Sequence, residues 1–300
     1  MVRAIDIHVH IPTPLEFMSP EQRERSQAMS RYFGERAAQQ RPMDVDALAE
    51  HYRELDSIAV LLTTDAETVT GNPPMPMSYI AEQVKKYPNQ FIGFGGVDPH
   101  KGKMAVKQLD EIVDLGLRGL KFHAGSQHFF ANDPQYYPLW ERCQDLGLIC
   151  LFHSGTTGVG AGTPGGGGIK LESMKPIPYI DDIAADFPDL KIILAHPSFP
   201  WDKDGLAVIR HKPNVYMDLS GWSPSYFDPL VVQYAKTIAQ DKILYGSDWP
   251  VVTPNRWLRD WAAYEVDPAV NQKIFRDNAA KLLGREDLIT DDWEPPVPTA

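Results

Sequence analysis

Residues 5–12 read IDIHVHIP, with two histidines one residue apart inside an apolar run. Side chains alternate faces along a strand, so a strand here turns Asp6, His8 and His10 one way and Ile5, Ile7, Val9 and Ile11 the other. Pro12 ends the run, because it has no amide hydrogen to donate to a ladder. Two histidines on one face are half of a metal site. They equally suit an edge strand with solvated polar residues. A metal needs three or four converging ligands, so the rest of the chain decides between these readings.

Runs of the same apolar, β-rich kind recur: SIAVLLTT (57–64), FIGFGGVD (91–98), GLRGLKFH (116–123), LICLFHSG (148–155), KIILAHPS (191–198), VYMDLSG (215–221) and KILYGSDWP (242–250). Helical character lies between them, over 45–56, 78–87, 103–115, 138–146, 177–187, 206–211, 229–239 and 268–283. Strands that alternate with helices imply βαβ units and a parallel sheet. Nearly continuous apolar strands imply cover on both sides. Eight repeats predict an α/β protein with a (β/α)8 TIM barrel. The alternative, an open doubly wound sheet, carries a glycine-rich phosphate turn after an early strand; HIPTPLEF, which follows the first strand here, has no glycine.

Two segments break the rhythm. Residues 13–43 are polar and rich in Arg, Glu and Gln, and are expected to form a helical insertion after the first strand. Residues 155–168 read GTTGVGAGTPGGGG after the fifth strand. No Lys-Ser or Lys-Thr pair follows, so this is not a P-loop. A long glycine-rich loop is a lid or a linker, and its place after a barrel strand favours a substrate-shaping lid. Residues 1–286 are expected to form a single barrel domain. Residues 287–300, DLITDDWEPPVPTA, form an acidic, proline-rich tail that runs over the surface or, with Trp293 as anchor, lies against another subunit.

Composition bounds the partners. A net charge of −11 argues against nucleic acid as a bulk partner. No apolar run approaches the length of a membrane span, and the N-terminus has no secretory pattern. Cys143 and Cys150 are expected to be buried free thiols, which with the missing signal predicts a cytoplasmic protein. A small-molecule substrate is therefore the expected partner, and self-association is left open.

The runs end in polar residues of metal-ligand type: His8 and His10 in the first, Lys121 and His123 in the fourth, His153 in the fifth, His196 in the sixth and Asp248 in the eighth. In a parallel barrel every strand C-terminus meets at one face, so these residues converge. A His-x-His pair, a third His and an Asp make a nitrogen-and-oxygen set suited to Zn or Mn.

IDIHVH, LFHSG, ILAHP and LYGSDWP, in this order and spacing, resemble the amidohydrolase superfamily. The match is to the branch that includes aminocarboxymuconate-semialdehyde decarboxylase and the resorcylate-type decarboxylases. The resemblance implies that His8, His10, His153 and Asp248 ligate one divalent ion, with Zn favoured and Mn an alternative. It implies that His196 contacts the metal-bound water, and that Asp248 also moves protons. Other branches bridge two metals through a carboxylated lysine on the fourth strand, where Lys121 sits; the single-metal branch leaves Lys121 as a charged substrate-binding residue. His123, Trp222 and Trp249 are further candidates for substrate contact. Asp6 is a candidate supporting carboxylate, and Asp218 is either loop-structuring or catalytic.

The segment from AHPSFPW to SPSYF is similar to 4-hydroxyphenyl-β-ketoacyl-CoA hydrolases. This puts first a metal-dependent hydrolase that delivers an activated water to a carbonyl of an aromatic or acyl substrate. The alternative is a metal-dependent non-oxidative decarboxylase of an aromatic or unsaturated carboxylate. That chemistry needs a cation for the carboxylate, and Arg256 and Lys121 are the candidates. A metal-binding barrel without activity is the third reading.

Overall fold

The computed structural model describes residues 1–20, 23, 24, 27 and 44–298. The insertion expected over 13–43 therefore lies largely outside the described residues; a turn at Leu15–Phe17 opens it. Eight strands follow the expected runs: β1 Ala4–His10, β2 Ser57–Leu62, β3 Phe91–Gly95, β4 Gly119–Phe122, β5 Ile149–His153, β6 Lys191–Ala195, β7 Val215–Asp218 and β8 Ile243–Leu244. Each pairs in parallel with the next. The last meets the first through the Ile7 amide on the Tyr245 carbonyl (3.0 Å), Asp248 on His8 (2.8 Å) and His10 on Trp249 (2.9 Å). The molecule is a (β/α)8 barrel.

Two apolar layers follow from period two along the strands. Ile58, Val60, Ile92, Phe94, Ile149, Leu151, Ile193 and Leu244 share one cluster, on the strand faces that look into the barrel. Phe91, Leu120, Phe122, Cys150, Phe152, Ile192 and Leu194 face the surrounding helices. Phe122 packs its ring 5.0 Å from Trp140 of the helix Tyr137–Asp145 and 5.1 Å from Phe152. Burying each such ring contributes about 1.5–3 kcal/mol. That packing also fixes the inward aim of their neighbours Lys121 and His153.

β1 departs from simple alternation. Asp6 pairs with Ala59 but Val9 with Leu61, so β1 holds one extra residue there. Such a bulge shifts the phase of every side chain beyond it. Ile5 and Ile7 join the inward cluster, while Val9 and Ile11 join the outer one. Asp6 consequently does not share a face with His8 and His10; it meets Tyr52 of the outer helix Val45–Glu54.

The helices also differ from expectation, beyond the short turns Glu67–Thr70 and Ala124–Gln127. Pro254–Ala262 is a helix absent from the sequence reading. The single helix expected over 268–283 is divided into Pro268–Gln272, a π turn at Lys273–Asp277, and Asn278–Leu283. Cys143 and Cys150 are buried and free, as expected. The tail docks on its own barrel: the Trp293 indole donates to the Arg3 carbonyl (2.8 Å), and Arg3 pairs with Glu294 (2.8 Å) and Asp56 (3.1 Å). Among the described residues no helix is long and apolar enough to cross a membrane.

Candidate functional site

The shared strand direction brings the polar run-ends together at the C-terminal mouth of the barrel. His8, His196 and Asp248 form the tightest group, with one ligand atom of each within 4.8 Å of the others. His10 reaches it through Asp248, its Nε2 lying 3.0 Å from Oδ1. His153 reaches it through His196, with Nδ1 3.3 Å from His196 Nε2. All five residues are therefore assembled, with His196 at the centre of the group and His153 one contact further out. His10 is the residue nearest solvent, its side chain 43% exposed, whereas His8 is fully buried.

Backbone strain marks the same residues. His196 (φ 69°) and Asp248 (φ 66°) both adopt the left-handed conformation. Non-glycine residues occupy it at a cost of order 1–3 kcal/mol and cluster at functional sites. Asp218 stabilises the first of these bends, because its Oδ1 accepts the His196 amide at 3.0 Å.

The protein fixes which nitrogens carry protons. His8 Nδ1 donates to Asp218 Oδ2 (2.9 Å), so its electron pair is on Nε2. His153 Nε2 donates to the Thr156 carbonyl (3.0 Å), so its pair is on Nδ1. His8 Nε2 then faces Asp248 Oδ1 at 3.2 Å with no proton between two acceptors. A shared cation relieves that repulsion. Electrostatics point the same way. Burial lowers the pKa of His8 to about 3, with Lys121 adding to the effect, and burial lowers His153 and His196 too. Burial opposes charge on Asp218 and Asp248, yet His8 and His196 beside them hold both carboxyls below their ordinary range. Neutral imidazoles and ionised carboxylates are the states that bind a metal. The donor set fits a divalent ion.

Lys121 lies on β4, 1% exposed, and donates from Nζ to His8 Nε2 at 3.2 Å. Burial lowers its pKa to about 8, against the pull of Asp218 and Asp248. No carboxylate among the described residues forms an ion pair with it. Arg256 is half exposed on the helix Pro254–Ala262 and faces Asp260 at 3.9 Å.

The other candidates take protein partners. His123 caps the helical turn Ala124–Gln127, accepting the Ser126 amide at Nδ1 (3.1 Å). Its Nε2 donates to Thr157 Oγ1 (3.0 Å), and its ring stacks on His153 at 4.2 Å. Both nitrogens are engaged, and His123 ties the glycine-rich loop to the site. Trp249 is buried within the outer core, and its carbonyl holds the His10 amide. Trp222 lies against Phe199, ring centroids 5.5 Å apart, with Phe199 exposed. Asp6 takes the Tyr52 hydroxyl (2.7 Å) and the amides of His8 (3.2 Å) and Ser247 (2.9 Å), joining β1 to the segment after β8 that carries Asp248. Burial raises its pKa to about 7.

The sequence reading underrated Asp218. It ends an apolar run as His153 does, which is the same signal, but its partners come from β1 and from the turn after β6 and cannot be read along the chain.

Comparison with known proteins follows the geometry. A family profile described as amidohydrolase matches residues 5–285. A gamma-resorcylate decarboxylase from Polaromonas sp. (strain JS666 / ATCC BAA-500) is 23% identical over 286 residues, 81% of this chain and 85% of that protein. An uncharacterized TIM-barrel protein from Bordetella bronchiseptica superposes with a TM-score of 0.76 at 22% identity, covering 95% of this chain and 99% of that one. A 5-carboxyvanillate decarboxylase from Novosphingobium aromaticivorans, solved with bound manganese and 3-methoxy-4-hydroxy-5-nitrobenzoic acid, gives a TM-score of 0.69 at 16% identity, over 94% of this chain and 97% of that one. The structural likenesses establish a common fold.

Proposed function

Because this chain belongs to the amidohydrolase family, we propose that it is a metal-dependent, non-oxidative decarboxylase of a small aromatic carboxylate. The observation that carries this reading is Lys121, a buried ammonium beside the His8–Asp248 group that forms no ion pair with a carboxylate among the described residues. A substrate carboxylate entering the mouth neutralises that charge. The likeness to decarboxylases supports it. The sequence reading put hydrolysis first; the relatives favour the carboxy-lyase alternative.

His8, His10, His153 and Asp248 would hold the ion. When bound, a divalent ion supplies a Lewis acid for negative oxygens of the substrate. Zn suits the nitrogen-rich set, and manganese is the metal in the Novosphingobium relative. Lys121 holds the carboxylate as a point charge. Asp248 and His196 are the groups within reach to carry the proton. The ring carbon that bears the carboxylate takes that proton, the carbon–carbon bond breaks, its electrons return to the ring, and CO2 leaves. The exposed Phe199 and its neighbour Trp222 offer apolar surface to the ring at the mouth.

Hydrolysis is the second reading, and the observation that favours it is His196, whose place in the tightest group suits it to orient a water. Incubation of the Zn- or Mn-loaded enzyme in H2(18)O separates the two. Hydroxybenzoates should release CO2 without incorporating label into product. Label entering a new carboxylate from an aromatic β-ketoacyl thioester, ester or lactone, with no CO2 from any hydroxybenzoate, overturns the decarboxylase reading.

A further inference from the structure

The turn after β7, Asp218-Leu219-Ser220-Gly221, does more than close the strand. Ser220 is fully buried, and its hydroxyl lies 2.8 Å from His196 Nδ1 and 3.0 Å from His8 Nδ1. A hydroxyl has a single proton. Here that proton goes to Asp218 Oδ1, which accepts both the Ser220 hydroxyl and the Ser220 amide, the latter at 3.0 Å. Toward the two imidazoles Ser220 Oγ is left as an acceptor. His8 Nδ1 has Asp218 as an independent acceptor at 2.9 Å, so it keeps its tautomer without the serine. His196 Nδ1 has Ser220 Oγ and the Ser220 backbone beside it, while the opposite tautomer would donate from Nε2 to the His153 Nδ1 pair at 3.3 Å; the serine hydroxyl weighs the balance toward the first.

Space reinforces the constraint. Gly221 has φ 77°, and a Cβ built on it would lie 2.4 Å from His196 Nδ1. The backbone of the turn therefore presses against the Nδ1 edge of the ring, and a side chain there would displace it. On its faces His196 is stacked against His8 (4.9 Å, 24°) and meets His153 edge-on (4.7 Å, 71°).

We propose that Ser220 is a positioning residue that fixes His196 in the Nδ1–H tautomer, so that the Nε2 electron pair is always presented to the cluster. Asp218 orients the serine, and Gly221 leaves room for the ring. The inference rests on the reading of His196 as the proton-handling group, but the tautomer itself is independent of what substrate the enzyme takes. It also predicts a division of labour along one turn: Asp218 serves His8, and Ser220 serves His196.

The test is nitrogen-15 NMR of the full-length protein labelled at histidine, with the His196 signals assigned by their loss in His196→Gln. The wild type should show His196 protonated at Nδ1 and bare at Nε2. Ser220→Ala should populate the other tautomer, leave His8 unchanged, and keep metal affinity within about twofold. Ser220→Thr, which retains the hydroxyl, should restore the wild-type pattern. Ser220→Cys, close in size but a weak acceptor, should resemble Ser220→Ala and serves if the alanine variant does not fold. With any substrate turned over, Ser220→Ala should lower kcat by about 10- to 100-fold with little change in KM, the scale of orienting partners. A His196 pattern unchanged in both the alanine and cysteine variants overturns the inference, as does a threonine variant that behaves like alanine. A locked tautomer in a protein that decarboxylates nothing would leave this inference standing and remove the reaction assigned above.

Discussion

His153 and His196 touch, yet their hydrogen bonds prepare them for different tasks. His153 is held by a backbone carbonyl and stacked on His123, as suits a ligand. His196 sits on a strained backbone. His153→Ala should lose metal, measured as equivalents bound after dialysis against Zn or Mn. His196→Ala should retain most of it and lose activity by about 100-fold or more. Equal metal loss in the two variants would exchange their roles. Lys121 gives a second prediction. A buried ammonium that touches no carboxylate among the described residues, and feels Asp218 and Asp248 only at a distance, destabilises a fold, so Lys121→Met should raise Tm by about 2–4 °C for a chain of this size. The same change should raise KM for a carboxylate substrate at least tenfold. A lower Tm, with KM unaltered, would show that Lys121 is a structural residue. Of these side chains, the sequence revealed the type and the strand. It did not reveal that His123 has both nitrogens engaged, because one partner, Thr157, lies on a different loop.

At the scale of elements, β1 and the glycine-rich loop are informative. The bulge in β1 turns two neighbours, Ile7 and His8, inward, and period two cannot detect it because an extra residue leaves no mark on composition. The helix Pro254–Ala262 was legible and missed. Thr253 accepts the Arg256 amide and Pro254 occupies the first turn, a standard start signal. The loop over 155–168 is tied at its base: the Thr156 amide donates to Phe199 O (2.6 Å), and Thr157 Oγ1 accepts from His123 and from the Val159 amide (3.1 Å). Thr157→Val should therefore speed hydrogen exchange over 158–168 by about 5- to 10-fold, the equivalent of a hydrogen bond worth about 1 kcal/mol. Exchange in β5 should be unaffected. A competitive inhibitor should slow exchange in the same segment if the loop is a lid; uniformly fast exchange with and without it would identify a linker.

For the whole molecule the prediction concerns metal. A site whose proposed ligands come from β1, β5 and the segment after β8 would link strands across the barrel. Stripping the ion with a chelator should lower Tm, and Mn or Zn at 100–1,000 times its Kd should restore about 3–4 kcal/mol. Stoichiometry should be about one per chain; about two, with Lys121 carboxylated, would support the bridged arrangement instead. What the sequence determined was the barrel and the inventory of the site. Alternating apolar runs are local, and a parallel barrel must gather its strand ends at one face, so His8, His10, His153, His196 and Asp248 could be collected without coordinates. What only the tertiary structure decided was the pairing: Asp218 with His8, Ser220 with His196, Lys121 with His8, Arg256 with Asp260, and Trp249 in the core. Periodicity states which face a residue takes. Which atom of which residue holds the proton depends on distances between strands, and those are set by how the whole barrel closes.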